Sequence, residues 1–427
     1  MSEVIATNET ILVVGGGISG LTAALEAAEC GKQVLLLEKA PSVGGRVSQL
    51  YKYFPKLCYP QCGLEIQYRR LKANKNIRLM TMAEVTGISG ESGNYSVDVK
   101  VSPRYVNENC TACGACGEAV EAEFDDEFNY QMKKRKGAYI PSPMAYPQRY
   151  ILDPALIGTD DATKAKEACR FEAIDLEMAE QALTLSVGAV IWATGWKPYD
   201  AAKIQPYGYD RYENVITNVE FERMLDPFGP TAGKIQRPSD GAAPKNIAFI
   251  QCAGSRDKNH LKHCSRICCM ATLKQTTYVA EKLGDECQST VYYIDIRAID
   301  RIDDFHQKVK ADPNVSFVKS KVANIVAGAN GNVILHGVDT EGYNRYASEH
   351  DLVVLATGME STVPAGIFPE GTVVNEHNFI DLDESNGAIF GAGCSSDALD
   401  VNRAAQNATA AALRAIQIVN QVSAAEA

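Results

Sequence analysis

The chain lacks any run of eighteen apolar residues, the least that crosses a bilayer as a helix. Its first ten residues, Met1–Thr10, lack the basic, apolar and cleavage regions of a secretory signal. Both absences point to the cytoplasm. Basic charge is also short: 42 Lys and Arg against 53 Asp and Glu give a net charge of −11, which argues against nucleic acid as a partner. No proton-transfer acid or activated nucleophile stands out. What the chain has instead is cysteine, thirteen in 427 residues. Cytoplasmic thiols stay reduced, so clustered cysteines there indicate metal or redox chemistry more than structural disulfides. The length suits two or three packed domains, and an apolar fraction of 46% is ordinary for a globular protein.

Ile11–Val14 reads as a buried parallel strand. Gly15-Gly16-Gly17-Ile18-Ser19-Gly20 follows, then an amphipathic helix from Leu21 to about Cys30 and a strand from Gln33 to Leu37 closed by Glu38. Strand, glycine turn, helix and acid at these offsets form a dinucleotide fingerprint. Gly15 allows the tight turn, Gly17 lets the backbone approach a pyrophosphate, and Gly20 lets helix and strand pack closely. Helix N-terminal amides hold phosphate, and Glu38 accepts ribose hydroxyls. Glu38-Lys39 is followed by Gly44-Gly45-Arg46. That pattern resembles the FAD end of two-dinucleotide-domain flavoproteins. The resemblance implies FAD, with Gly45 packed on the diphosphate and Arg46 reaching it. Cys58 and Cys62 come next, around Tyr-Pro-Gln. They read equally well as a redox pair beside a flavin or as two thiols in a proline-constrained loop.

Short strands are expected over 77–101. Then Cys110-Thr-Ala-Cys113-Gly-Ala-Cys116 gives the C-x-x-C-x-x-C run that supplies three ligands of a ferredoxin [4Fe–4S] cluster. The local fourth position is absent. Cys169, before Arg-Phe-Glu-Ala-Ile174, is the remote candidate. Zinc would call for a second C-x-x-C pair, and none is near. Between these ligands lie an acidic stretch from Glu118 to Glu127, a basic one from Lys133 to Lys136, and a Pro- and Tyr-rich loop. Such runs are by default solvated faces.

Val187–Gly195 and Asp351–Gly358 are strand patterns that both end in Ala-Thr-Gly, the first as Ala193-Thr194-Gly195. Paired ends of this kind resemble the disulfide reductase class of flavoproteins, where they mark passages between two dinucleotide domains. The expected fold is therefore α/β: a two-dinucleotide-binding-domain flavoprotein, disulfide/thioredoxin reductase-like, with an inserted ferredoxin-like segment. Residues 1–106, 181–244 and 351–427 form the FAD domain, 107–180 the insert and 245–350 the second domain. That second domain opens with a strand, Asn246–Ile250, but no glycine fingerprint follows. Gln251-Cys252-Ala253-Gly254-Ser255-Arg256 keeps one glycine of three, and Cys264, Cys268 and Cys269 come soon after. Cys264 and Cys268 are expected at i and i+4 on one helix face. Side chains at the missing glycine positions obstruct a pyrophosphate, so Cys252, Cys264, Cys268 and Cys269 are assigned to a second cluster, with His263 by default a surface histidine and otherwise a substitute ligand. Gly393 ends a strand returning to the flavin, and a helix starting at Asp400–Ala405 points its amides at the ring.

The Gln251–Arg256 and Cys264–Cys269 elements resemble the A subunits of heterodisulfide reductases. With Tyr53-Phe-Pro-Lys-Leu-Cys58 and the Cys110 insert, the chain is similar to the A subunits of quinone-interacting membrane-bound oxidoreductases (Qmo) within that wider family. The resemblance implies FAD, [4Fe–4S] clusters and two partner subunits: a second flavo-iron–sulfur protein and a haem-bearing membrane protein. It implies electron relay between menaquinol and adenylylsulfate reductase in dissimilatory sulfate reduction, on the inner face of the membrane. There are two alternatives. One is a soluble electron-transfer subunit of the heterodisulfide reductase type. The other is an NAD(P)H-dependent disulfide reductase using Cys58 and Cys62.

Overall fold

The computed structural model describes residues 5–54, 57–298, 302–380 and 387–426. The chain begins with β1 (Ile11–Val14), α1 (Ile18–Glu29), β2 (Val34–Glu38), α2 (Pro60–Ala73) and β3 (Ile77–Thr81), then the hairpin β4 (Ala83–Glu91) and β5 (Asn94–Val101). The insert holds α3 (Ala115–Ala119), β6 (Glu123–Asp125), β7 (Lys134–Lys136), β8 (Ala138–Tyr139), β9 (Ile151–Leu152) and α4 (Asp160–Ala168). After it come β10 (Gln181–Val187), β11 (Ala189–Trp192), β12 (Trp196–Pro198), β13 (Val215–Thr217), α5 (Asn218–Leu225), β14 (Asn246–Ala253) and α6 (Cys268–Leu283). The rest is β15 (Gln288–Tyr293), α7 (Ile302–Lys310), β16 (Val315–Lys319), β17 (Asn324–Ala327), β18 (Val333–Asp339), β19 (Asn344–His350), β20 (Leu352–Thr357), β21 (Met359–Ser361), β22 (Ile389–Gly391) and α8 (Val401–Glu426).

Two five-stranded parallel sheets organise these elements, in the orders β22-β11-β1-β2-β3 and β13-β20-β14-β15-β16. An interior strand of each, ILVV in β1 and LVVLAT in β20, is buried throughout, as parallel strands covered on both faces must be. In the first sheet β1 is flanked by β2 and β11, so the glycine turn after Val14 opens between two strand ends. α1 and α8 cover it through small residues: Ala23, Ala24 and Ala27 on one side, Ala408, Ala411 and Ala415 on the other, all fully buried. Small side chains let the two helix axes approach closely.

The second sheet corrects two expected boundaries. β13 and β20 pair there, so residues 215–217 and 352–357 lie outside the FAD unit in which 181–244 and 351–427 place them. The Ala-Thr-Gly ends do mark a crossing: β12 and β21, which follow them, pair with each other in a two-stranded antiparallel bridge. The insert has its own small core of Val106, Val120, Leu152, Leu156, Ala162 and Ile174. Buried Arg223 on α5 binds all three parts. Its guanidinium donates to the Gln49 carbonyl (3.2 Å), to Asn129 Oδ1 of the insert (2.9 Å) and to Asp226 (2.9 Å).

One buried histidine sets an acid limit on stability. His350, at the end of β19, shares Nε2 with Tyr292 (3.0 Å) and Ser348 (3.0 Å). Burial holds its imidazole down to about 4, against a slight upward pull from Asp351. A proton therefore binds the unfolded chain more tightly. The histidine's stabilising share is complete above the unfolded value near 6.5 and is lost as pH falls toward about 4. We expect His350→Gln, which keeps a partner for Tyr292, to remove on the order of 1.5 kcal/mol of the stability lost between pH 6.5 and 5. Urea midpoints of the two proteins at both pH values check this. Parallel losses would contradict it.

Candidate functional site

Glycine geometry defines the first cradle. A Cβ on Gly20 would lie 1.7 Å from the Gly15 carbonyl oxygen, and one on Gly15 would lie 2.4 Å from that of Ala193. These two are needed for packing. Gly17 differs: its backbone is extended (φ −72°, ψ −175°) and a Cβ there would meet nothing nearer than Gly45 Cα at 3.8 Å. The space before Gly17 is thus open, and the helix α1 amides face the same end of the sheet. A diphosphate fits such a cradle.

Glu38, at the end of β2, accepts the Gly16 N–H (2.6 Å) and the Ala40 N–H (2.8 Å). Burial raises its carboxyl above the usual range, against the pull of those amides. Gly195 N–H donates to Ser395 Oγ (2.9 Å), Thr194 lies 3.4 Å from the same hydroxyl, and Gly393 N–H donates to Asn407 Oδ1 (2.7 Å). Ala193, Thr194, Gly195 and Gly393 therefore stand together at the strand ends. Lys39 does not join them: its ammonium pairs with Glu84 on the surface (2.6 Å), because it follows the last residue of the strand and turns outward. Arg46 points inward and donates to the Trp196 carbonyl (3.2 Å), Gln49 (3.1 Å) and Tyr130 of the insert (3.2 Å).

Beyond the cradle lies a cavity of about 460 Å³ between the two sheets. Arg46, Leu50, Trp196, Ile267, Met270 and Leu399 line it, with the start of α8 at Asp400–Val401. Its size and mixed lining suit a planar ring with a few polar edges. Glu222 and Lys274 also line it as a buried ion pair (2.9 Å), and Lys274 donates to the Lys52 carbonyl (2.6 Å). Sequence reasoning missed both, since a Glu and a Lys on two separate helices carry no motif.

The insert brings its four predicted ligands together. Cys110, Cys113, Cys116 and Cys169 ring one small hollow with Tyr150, Phe171 and Ile174. Ala112 (φ +57°) and Gly114 (φ +94°) take left-handed backbone between the cysteines, which wraps the run around that hollow. Burial pushes the Cys116 thiol up to about 12, and Cys110, Cys169 and Cys113 add to the shift as near neighbours. The Ala173 N–H already donates to Cys169 Sγ (3.4 Å).

The second quartet forms where a nicotinamide fingerprint would open. β14 loses register with β20 between Ile250 and Ala253, and Cys252 there adopts φ +55°. Cys264 is not on the helix with Cys268, as the i, i+4 spacing predicts. α6 starts only at Cys268, and Cys264 lies in the loop before it, which reverses at Arg266 (φ +58°). Ser265 fastens that loop, donating to or accepting from Ser255 (2.9 Å) and accepting the Met359 N–H (2.8 Å). Burial drives the Cys268 thiol well up, and Cys252, Cys269 and Cys264 reinforce it in that order. Burial also raises Cys252, opposed by the guanidinium of Arg256. Amides of Arg266 and Arg297 donate to Cys264 Sγ and Cys269 Sγ, both at 3.4 Å. Donors at the sulfurs are what an anionic cluster needs.

Among the described residues no three of His, Cys, Asp or Glu close on a single-ion site. Each of two sites brings four thiols near one another, the donor set that a [4Fe–4S] cluster needs. His263 takes the surface-histidine reading better: its Nε2 meets the Met359 carbonyl (2.9 Å) and its ring packs on His377 and Phe379. Cys58 and Cys62 form no disulfide with each other. Cys62 is exposed in the first turn of α2, and neither thiol lines the central cavity. Both raise the Tyr53 phenol, after burial as the main cause. No helix among the described residues is long and apolar enough to cross a membrane.

Residues 10–67 match the family model for FAD-dependent oxidoreductases. Thioredoxin reductases of T. acidophilum and Lactococcus lactis share the fold, with TM-scores of 0.52 and 0.51 at 14% and 12% identity over 96% and 97% of this chain and 98% and 99% of theirs. The chain is 35% identical to the A subunit of the ferredoxin/F420H2-dependent CoB–CoM heterodisulfide reductase of Methanosarcina acetivorans, over 98% of its own length and 55% of that protein. It is 36% identical to one of the iron–sulfur A subunits of the CoB–CoM heterodisulfide reductase of Methanopyrus kandleri, over 95% and 63%. Against the A subunit of the H2:CoB–CoM heterodisulfide,ferredoxin reductase of Methanothermobacter marburgensis the identity is 32%, over 96% and 64%. The chain thus spans just over half to under two thirds of these relatives. Over that span its sequence is similar to those of the heterodisulfide reductase A subunits, and its fold is that of the thioredoxin reductase-like flavoproteins, with a FAD-dependent oxidoreductase match at its start.

Proposed function

We propose that the chain is an electron-transfer subunit of the heterodisulfide reductase A type, holding FAD and two [4Fe–4S] clusters and working with other subunits. One observation carries this reading. The first turn of α6 supplies Cys268 and Cys269 to the second thiol quartet and, through Ile267 and Met270, forms a wall of the central cavity. A flavin ring in the cavity and iron at the quartet are therefore separated by one turn of helix. FAD, when bound, would accept or give two electrons overall and exchange them one at a time with [4Fe–4S] clusters, each of which carries one. The chain's own residues fix the spacing, donate N–H groups to Cys264 and Cys269, and place the Glu222–Lys274 pair against the cavity. Gly15, Gly17, Gly20, Gly45 and Glu38 hold the dinucleotide in this reading. Cys110, Cys113, Cys116 and Cys169 hold the other cluster.

A narrower reading sends the electrons between menaquinol and adenylylsulfate reductase, through two partners: a second flavo-iron–sulfur protein and a haem-bearing membrane protein. The sequence likeness at Tyr53–Cys58 supports it. The relatives' names support the broader reading better.

Protein purified without oxygen is expected to carry one FAD and about eight iron and eight sulfide ions per chain. Its flavin should bleach with dithionite and stay yellow under NADH or NADPH. Bleaching by a nicotinamide in protein free of iron would replace this reading with a disulfide reductase.

A further inference from the structure

Of the eight proposed ligands, Cys113 of the insert is the exposed one. Beside it stands Phe171, 46% exposed and lining the same hollow as the four thiols. Glu108, Glu118, Glu167 and Glu172, each two or three residues along the chain from a ligand cysteine, are all exposed. Several of the insert's other acids are neutralised in ion pairs. Away from the thiols, Glu121 pairs with Lys164 (3.5 Å), Glu123 with Lys136 (3.4 Å), Asp125 with Lys134 (2.5 Å) and Glu127 with Arg135 (3.2 Å). Around the thiols, none of the four glutamates is in an ion pair among the described residues. Exposed Lys166 and Arg170 offset only part of their charge.

We propose that this face is a docking surface for a one-electron carrier protein whose own redox centre is ringed by basic side chains. Phe171 is the apolar contact at its centre. The proposal rests on the reading that the insert quartet holds iron. Each encounter moves one electron and no proton. In the direction tested below, the insert's iron is oxidised by one and the carrier's metal centre is reduced by one. Opposed charges steer the two redox edges together, and small apolar contact keeps the encounter brief.

Ferric cytochrome c, a basic haem protein, is the probe, and a plant-type [2Fe–2S] ferredoxin is its acidic counterpart. Anaerobic holoprotein, its clusters first reduced with dithionite and the excess removed, should bind ferric cytochrome c more tightly than ferredoxin at low salt. A quadruple E108K/E118K/E167K/E172K variant should weaken cytochrome c binding and slow its reduction about tenfold or more. The milder set with Gln at the same positions should fall between. A control of equal charge change on exposed acids elsewhere, E286K/D304K/E370K/E376K, should stay within about twofold. Phe171→Ser should weaken binding without any charge change. Iron content and the EPR spectrum of the insert cluster, unchanged in every variant, separate docking from cluster loss. Equal effects of the two charge-reversal variants, or tighter binding of ferredoxin, overturn the docking surface alone. An insert that purifies without iron overturns the cluster reading and the docking surface with it.

Discussion

A Gly17→Val variant should fold as well as the parent and retain less than about a tenth of its flavin, a change of at least ~1.4 kcal/mol in binding. The argument is one of space. Gly17 has a backbone conformation that any residue adopts, and an added Cβ has only Gly45 Cα at 3.8 Å as a neighbour. Nothing in the folded chain therefore demands glycine there. Gly20 is the opposite case, where a Cβ would sit 1.7 Å from a carbonyl oxygen, and Gly20→Val should not fold. On the proposed reading, a diphosphate would meet bare backbone in the open space at Gly17. Thermal midpoints of the flavin-stripped proteins, measured beside their FAD-to-protein ratios, check both halves. A Gly17→Val protein with full flavin would mean that the cofactor lies elsewhere.

The second large effect belongs to Cys268. Cys268→Ser should lower iron from about eight to about four per chain, with flavin and the insert cluster retained. Cys268 is the first residue of α6 and is 5% exposed, so no other thiol reaches its place without unwinding the helix. A serine oxygen is a shorter, harder donor than thiolate and suits iron–sulfur ligation poorly. Cys110→Ser should remove the other four iron ions and leave the α6 cluster. Cys58→Ser and Cys62→Ser should change neither count, since those thiols belong to neither quartet. Iron and sulfide analysis with EPR of the reduced proteins distinguishes the three classes. Full iron in Cys268→Ser would remove α6 from the account.

How much of this was legible in the residues varies with distance along the chain. The first fingerprint was readable because strand, turn, helix and acid fall within 28 residues, from Ile11 to Glu38. The run Cys110–Cys116 was readable for the same reason, and it led to Cys169, 53 residues beyond Cys116, which the structure brings to the same hollow. The second quartet was readable as composition but not as geometry. Three- and four-residue spacings suggest one helix face, yet Arg266 turns left-handed and Ser265 is tied to Met359, so Cys264 approaches from a loop. Sheet membership of β13 and β20 was hidden because it depends on long-range pairing, Val215 with Val353. The Glu222–Lys274 pair and the three-way anchor at Arg223 were hidden likewise, as both are made by side chains on separate elements. Lys39 shows the converse: its place in a motif put it at the cofactor, and a surface carboxylate, Glu84, took it away.

The claim on which the rest depends is that thiols holding iron occupy the place of a nicotinamide fingerprint. Anomalous diffraction at the iron edge, from crystals grown without oxygen and soaked in NADH, tests it directly. The account predicts two separate iron peaks, one enclosed by Cys252, Cys264, Cys268 and Cys269 and one by Cys110, Cys113, Cys116 and Cys169, with no nucleotide at β14. Density for NADH across Cys252, with no iron peak beside it, would contradict the account.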